Sequence, residues 1–327
     1  MKIFVAGASG AIGKRLVPPL VAAGHRVVAT TRTPAKLERL RGAGAEAVLM
    51  DGLDRDAVMK AVVAARPDAV VHQMTALASL KSLKNFDKDF AMTNRLRTDG
   101  TKFLLEAATA AGTRRFVAQS YSGWPNGRRG SRVKTEEDPL ESDVPSTAVM
   151  TLDAICTLER LTVDTAGISG IALRYGSLYG PGTSISSHGE IVELIRQRKL
   201  PLVGSGAGVW SFIHVDDAAR ATELALDRGA PGVYNIVDDE PAEVSEWLPE
   251  LARAIGAKPP HHLPAWIARF ALGESGVSMM TEIRGASNAK ARRTFGWQPA
   301  YASWRDGFRR GLSAELPAAA RSKAVGE

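Results

Sequence analysis

The N-terminal stretch Lys2-Ile3-Phe4-Val5-Ala6-Gly7-Ala8-Ser9-Gly10-Ala11-Ile12-Gly13 decides how the rest of the chain is read. Its first five residues form an apolar run too short for a helix. Gly7, Gly10 and Gly13 follow, and then Leu16, Val17, Leu20 and Val21 recur at helical spacing. Strand, glycine turn and helix in that order give each glycine a physical task. Gly7 allows a tight turn, Gly10 lets the backbone approach a pyrophosphate, and Gly13 lets the helix pack against the strand. The free amides over Ser9, Ala11 and Ile12 face the same point, where the helix dipole favours negative charge. The spacing is G-x-x-G-x-x-G rather than G-x-G-x-x-G, but the surrounding pattern predicts dinucleotide binding over a bare glycine-rich turn.

Working outward, Arg26 to Thr31 reads as a second strand and ends at Arg32. An Asp or Glu there would bind ribose hydroxyls and repel a 2′-phosphate; a guanidinium can hold that phosphate bidentately. Thr31 and Arg32 therefore predict NADP(H) over NAD, against the alternative of a solvated strand-end residue. Ala47 to Met50 forms a third strand, followed by Asp51-Gly52-Leu53, where the carboxylate can accept from an adenine amino group. Asp68 to His72 forms a fourth, followed by Met74-Thr75 on the cofactor side. Thr113 to Ser120 and Ile171 to Arg174 are the fifth and sixth strands, and Gly232 to Val237 is another. Helices are expected between them, including Phe90–Ala111, which carries Asn94, and 146–166. Alternating strands and helices predict an α/β doubly wound parallel sheet with ligands at the strands' carboxyl ends. Beyond Gly176 the alternation stops. Short elements and helices follow, one capped by Ser245 and one opened by Pro264.

The chain has 327 residues, 45% of them apolar, and a formal charge of +7. Its basic residues are scattered, without the single-faced, aromatic-flanked stripe of a nucleic-acid surface. No apolar run reaches membrane-spanning length. No secretory leader is expected, and the single cysteine, Cys156, excludes an internal disulfide; a cytoplasmic setting is expected.

Six stretches together carry a resemblance: Gly7 to Gly13, Asn94 with Gly100-Thr101, Arg174-Tyr175-Gly176-Ser177-Leu178-Tyr179-Gly180-Pro181-Gly182, Phe212-Ile213-His214-Val215-Asp216-Asp217, Val233-Tyr234-Asn235-Ile236, and Phe295-Gly296-Trp297-Gln298-Pro299. In this order the chain resembles the extended short-chain dehydrogenase/reductase superfamily, of the NAD(P)-dependent epimerase/dehydratase type. The resemblance implies a Rossmann domain over 1–175 with parts of 210–240 and a discontinuous substrate domain mainly over 176–315. The last residues, 316–327, rich in Ala with Lys and Glu, are expected to be a disordered tail. The resemblance also implies a homodimer formed through the helices Phe90–Ala111 and 146–166.

The resemblance further implies a Tyr-x-x-x-Lys pair on the helix 146–166, with the Lys lowering the Tyr pKa and holding the nicotinamide ribose. Counting back from Glu159-Arg160-Leu161, those positions hold Thr151 and Ile155, and no Tyr-x-x-x-Lys occurs elsewhere. Thr151 does not ionise near neutral pH, and acid–base chemistry needs a group that does. Three readings follow. A relocated donor serves hydride transfer, with Tyr121 flanked by Ser120 and Ser122 the leading candidate and Tyr175 and Tyr179 behind it. Alternatively, the dinucleotide stays bound during a non-redox isomerisation, elimination or cyclisation. Alternatively, the protein is a nucleotide-responsive binder. The first is preferred, acting on a carbonyl or conjugated acceptor. Nucleotide-sugar enzymes of this type carry an Arg where Val209-Trp210-Ser211 stands, so a hydrophobic small molecule is expected instead. Ser177, Trp124 and Trp210 are candidate substrate contacts, the tryptophans with a packing alternative. His188 is a minor candidate proton donor.

Overall fold

A computed structural model describes residues 1–77 and 84–313. The expected tail over 316–327 lies outside the described residues. Seven parallel strands form one sheet: β1 Lys2–Ala6, β2 Arg26–Thr31, β3 Glu46–Leu49, β4 Ala69–His72, β5 Arg115–Tyr121, β6 Ser169–Tyr175 and β7 Gly232–Ile236. Their spatial order is β7-β6-β5-β4-β1-β2-β3. Ile3 pairs with Val27 on one side and with Ala69 on the other. The order reverses between β1 and β4, so their carboxyl ends open the crevice where doubly wound sheets bind ligands.

Alternation along β1 explains why the strand is apolar throughout. Successive side chains point to opposite faces. Ile3 and Val5 join one core with Leu16, Leu20 and Ala221, whereas Phe4 and Ala6 join another with Val58, Val62 and Leu104. Both faces are covered by helices, as a parallel sheet requires. A third core lies outside the sheet. It gathers Trp210, Phe212, Trp247, Trp304 and Phe308 with the helices Val244–Ala254 and Ala265–Thr281.

Two local expectations are corrected. Phe90–Ala111 is not one helix: Ala91–Arg95 passes into a π-helical turn, Leu96–Gly100, before Thr101–Ala110. A side chain at Gly100 would stand 3.4 Å from the Gly52 carbonyl oxygen, so the chain is drawn close there. The wider turn changes which residues face inward. Ser245 does not cap Val244–Ala254: the flanking residue is Glu243, and the Ser245 hydroxyl donates to its carboxylate at 3.0 Å. The segment after Gly123 is ordered by ties to the third core. Val133–Lys134 pairs with Gly285–Ala286, and Asn126 Nδ2 donates to Arg284 O at 3.0 Å.

One buried ion pair joins β5 and β6 to the helix Val149–Asp164. Arg174 donates from Nε and Nη2 to the two oxygens of Glu159 at 2.7 and 2.6 Å, and Ser120 Oγ donates to Oε1 at 2.6 Å. Removing one partner leaves an uncompensated buried charge. Glu159→Gln is expected to lower unfolding free energy by about 3–5 kcal/mol in urea titration. A loss under about 1 kcal/mol, the range of exposed pairs, would contradict this role.

Candidate functional site

The glycine turn sits at the carboxyl end of β1, held on two sides. Gly7 has φ +87°, and a β-carbon on it would lie 2.7 Å from the Gln73 carbonyl carbon, just past β4. A β-carbon on Gly13 would lie 2.6 Å from Ala8 backbone atoms. Gly10 is different: its nearest neighbour is Gly7 O at 3.3 Å, so its outer face is open to a ligand. From β2, Thr30 O accepts from Ala8 N at 3.1 Å, and the Ser9 and Thr31 hydroxyls share a hydrogen bond at 3.0 Å. Arg15 pairs with Asp216 at 2.6 Å and ties the following helix to Val215–Arg228. A cradle that excludes side chains on its inner faces and exposes amides on the outer one fits a dinucleotide pyrophosphate.

Beside this cradle lies a surface cavity of about 350 Å³ lined by Ser9, Lys14, Lys36, Arg39 and Leu40 among others. Burial lowers the Lys14 pKa, and the charges of Arg39, Lys36 and Arg15 lower it further. Arg32 is exposed at the end of β2, with no ion pair among the described residues. The sequence reading selected Arg32 and missed the other three cations. Lys14 follows the glycine motif directly, and Lys36 and Arg39 lie one helical turn apart, a spacing that was available as a signal.

At the carboxyl end of β3, beyond β2, Asp51 Oδ1 accepts from Leu53 N at 3.0 Å, closing the turn through Gly52. Gly52 packs against the Met74 side chain, and Thr75 is half-buried. His72 links these parts: its Nε2 lies 3.1 Å from Leu96 O and its Nδ1 3.2 Å from Met74 N. Since Met74 N can only donate, the network assigns the proton to Nε2.

The β5 end shows which hydroxyls remain free. Ser120 is committed to Glu159. Thr151 accepts from Asn94 Nδ2 at 2.9 Å and donates to Asp87 Oδ1 at 2.9 Å, while Asp87 also receives the Thr151 and Met150 amides. Asp87 therefore caps the helix Val149–Asp164, and the Thr151 hydroxyl belongs to that cap. The Ser120 and Thr151 hydroxyls, both sequence candidates for the catalytic group, are thus each engaged by a carboxylate. Ser122 is buried, and its hydroxyl has no partner among the described residues. Tyr175 exchanges hydrogen bonds with Gln73 and Thr222 and is pushed up to about 12 by burial. Tyr179 is packed edge-on among His214, Tyr301 and Phe308, and burial raises its phenol well above the ordinary range. Tyr121 is half-buried. Burial raises its phenol, while a Ser177 hydrogen bond and the charges of Arg97 and Arg128 lower it. Arg97, missed in the sequence, is buried, and its Nη1 donates to Asn94 Oδ1 at 3.3 Å.

Two expected substrate contacts are packing residues. Trp210 is buried against Trp247 and donates its indole N–H to Met279 O at 2.8 Å. Trp124 is buried against Phe86. His188 is exposed, without a hydrogen-bond partner among the described residues. Met92, Val149 and Met150 are exposed apolar residues on the two helices expected to pair copies of the chain. No described helix is long and apolar enough to cross a membrane.

The model of the NAD dependent epimerase/dehydratase family matches residues 3–237. This chain belongs to that family. Within reach of it is a 3-diazoavenalumate denitrifying reductase from a Streptomyces species, 45% identical over 311 residues, covering 95% of this chain and 100% of the relative. A 2-alkyl-3-oxoalkanoate reductase from Stenotrophomonas maltophilia is 30% identical, covering 79% and 76%. Among solved structures, a human epimerase family protein with NADPH superposes with a TM-score of 0.72 at 20% identity, covering 95% and 99%. Both relatives are reductases of substrates other than nucleotide sugars, and family members bind nicotinamide dinucleotides.

The His72 linkage carries a pH signature. Burial lowers its pKa from 6.5 to about 4. Between those values the unfolded chain binds the proton and the folded chain does not, so the stability from this residue is lost as the pH is lowered from 6.5 to 4, by about 3 kcal/mol over the window. Asp217, raised by burial to about 6, acts in the opposite sense, so the measurement must be a difference. The stability gap between wild type and His72→Gln is expected to shrink by about 3 kcal/mol from pH 7 to pH 4 in urea titrations. A pH-independent gap would contradict the assignment.

Proposed function

We propose that this protein is an NADP(H)-dependent reductase that removes nitrogen from a diazo-bearing aromatic acid by delivering hydride to the carbon that carried it. The observation that carries this reading is the pair Thr151 and Ile155, standing where the resemblance expects Tyr and Lys, with the Thr151 hydroxyl bound into the Asp87 cap. When bound, the dinucleotide supplies a hydride. At an arenediazonium carbon the hydride pair forms the new C–H bond, and the C–N pair departs with dinitrogen. The sum is ArN₂⁺ + H⁻ → ArH + N₂, which consumes no proton. A site that has lost its titratable pair is suited to such an acceptor and unsuited to a ketone, whose oxyanion must be protonated. The near full-length likeness to a denitrifying reductase supports the substrate class.

The chain's own residues perform binding and orientation here. Gly7, Gly10 and Gly13 with the amides of Ser9, Ala11 and Ile12 would hold the pyrophosphate. Asp51, Leu53, Met74 and Thr75 would flank the adenine side. Arg32, Lys14, Lys36 and Arg39 would receive a 2′-phosphate next to the Ser9–Thr31 bond. A second reading, reduction of a carbonyl or conjugated acceptor, rests on Tyr121 beside Ser177. A phenol whose pKa burial raises and the charges of Arg97 and Arg128 lower can protonate an oxyanion.

Two measurements test these assignments. With an arenediazonium acid and NADPH deuterated at the transferring position, deuterium is expected on the carbon that lost nitrogen, with one dinitrogen released per NADPH oxidised. Nitrogen loss without NADPH oxidation, or solvent hydrogen at that carbon, would overturn the proposal. For the cofactor, Lys14→Ala with Arg39→Ala is expected to weaken NADPH about tenfold or more and to leave NADH unchanged, since each charge-assisted phosphate bond contributes about 1.5–3 kcal/mol. Equal effects on both cofactors would refute the phosphate site.

A further inference from the structure

Arg97 stands out because the other two fully buried cations, Lys134 and Arg174, are each paired, with Asp138 and Glu159, whereas Arg97 has no counter-charge among the described residues. Arg174 lies bidentate on Glu159, and Lys134 Nζ is 3.4 Å from Asp138. Arg97 is 8% exposed, has no ion pair among the described residues, and makes one hydrogen bond, to the side-chain oxygen of a neutral amide, Asn94. It remains a cation near neutral pH even though burial lowers it to about 10. A buried charge without an opposite partner is costly, and the cost falls when an anion joins it. Glu159 lies within its field, but both Glu159 oxygens are already bonded to Arg174 and one also to Ser120.

The position of Arg97 says which kind of anion completes it. The π-helical turn Leu96–Gly100 carries it, and that turn packs against the helix Val149–Asp164. A chain of bonds runs from Arg97 through Asn94 to Thr151 and Asp87, and Tyr121 at the end of β5 feels its charge. The phosphate cradle is elsewhere, at Gly7 to Gly13 on β1 and beside β2. Arg97 therefore belongs to the side of the crevice where substrate meets the missing Tyr and Lys positions.

We propose that Arg97 binds an anionic oxygen of the substrate and so sets its orientation. The inference rests on the reductase reading for the placing of the substrate, and it adds what the substrate must carry. A guanidinium repels a diazonium carbon and attracts an oxyanion on the same ring. The two charges together fix one way of lying in the site. A carboxylate and a phenolate both provide the required oxygen, and both match the planar fork of Arg better than the point charge of Lys.

The test uses benzenediazonium, its 3-carboxylate and its 4-hydroxy form, with NADPH in excess. The wild type is expected to prefer one anionic probe over the parent by about tenfold or more in kcat/KM, the free-energy scale of one charge-assisted bond. The preferred probe identifies carboxylate or phenolate as the source. Arg97→Gln is expected to abolish that preference with NADPH affinity unchanged, and Arg97→Lys to restore part of it. Equal losses on all three probes, or weakened NADPH binding, would overturn the proposal. Thermal unfolding supplies a second readout. If the charge awaits a ligand, Arg97→Gln leaves the free protein as stable as wild type or raises its Tm; a lowered Tm would mark Arg97 as structural and overturn the proposal. Calorimetry with benzoate and 4-nitrophenolate on the NADP⁺-loaded protein separates the two readings. Arg97-dependent binding without turnover of any diazonium probe sinks the denitrifying reaction and keeps the anion site. Turnover without an Arg97-dependent preference does the reverse.

Discussion

The contact on which the site depends is the approach of Gly7 to the Gln73 carbonyl. It joins the ends of β1 and β4, the two strands between which the sheet order reverses, at a separation no β-carbon tolerates. Because Gly7 closes that gap, the turn reaches Gly10 with its outer face open, and the helix beginning at Gly13 can lie against Ala8. The bonds from Thr30 and Thr31 hold the same turn from the β2 side. The glycine cradle is thus a consequence of backbone packing, set by contacts a side chain on Gly7 or Gly13 would break.

The cluster at the end of β5 is built on a different principle. Its hydroxyls and carboxylates are mostly committed to one another: Ser120 to Glu159, Glu159 to Arg174, Thr151 to Asp87. Such a network keeps its members in place and leaves them little capacity to exchange protons with a ligand. What stays available is a half-buried phenol at Tyr121 and an uncompensated guanidinium at Arg97. Together with an intact dinucleotide cradle, this arrangement suits binding, orientation and hydride delivery.

The sheet was readable from the chain because apolar runs such as Ile3 to Ala6 and Ala69 to Val71 have no other way to bury both faces. The glycine motif was readable for a related reason, since its spacing expresses backbone constraints that any sequence must meet. The side-chain cluster around Arg97 was not. Nothing in Leu96 to Gly100 announces a π-helical turn; it arises where Gly100 is drawn toward Gly52, a contact distant in sequence. The aromatic residues misled for the converse reason. Trp210 and Trp124 have the composition of a ligand pocket, but whether a ring lines a cavity or fills a core depends on what packs against it. The basic cavity lies between these cases: Lys14, Lys36 and Arg39 are plain in the sequence, and only the fold shows that they converge beside Ser9.

On the proposed reaction, hydride transfer in this protein needs no proton in the same step. Single-turnover oxidation of NADPH by an arenediazonium acid, compared in H₂O and D₂O, tests it most directly. The same rate is expected in both solvents, unchanged across neutral pH, with a primary isotope effect only from deuterated NADPH. A marked slowing in D₂O, or a rate that follows the titration of a single group, would show that a protein acid takes part and would contradict the proposed reaction.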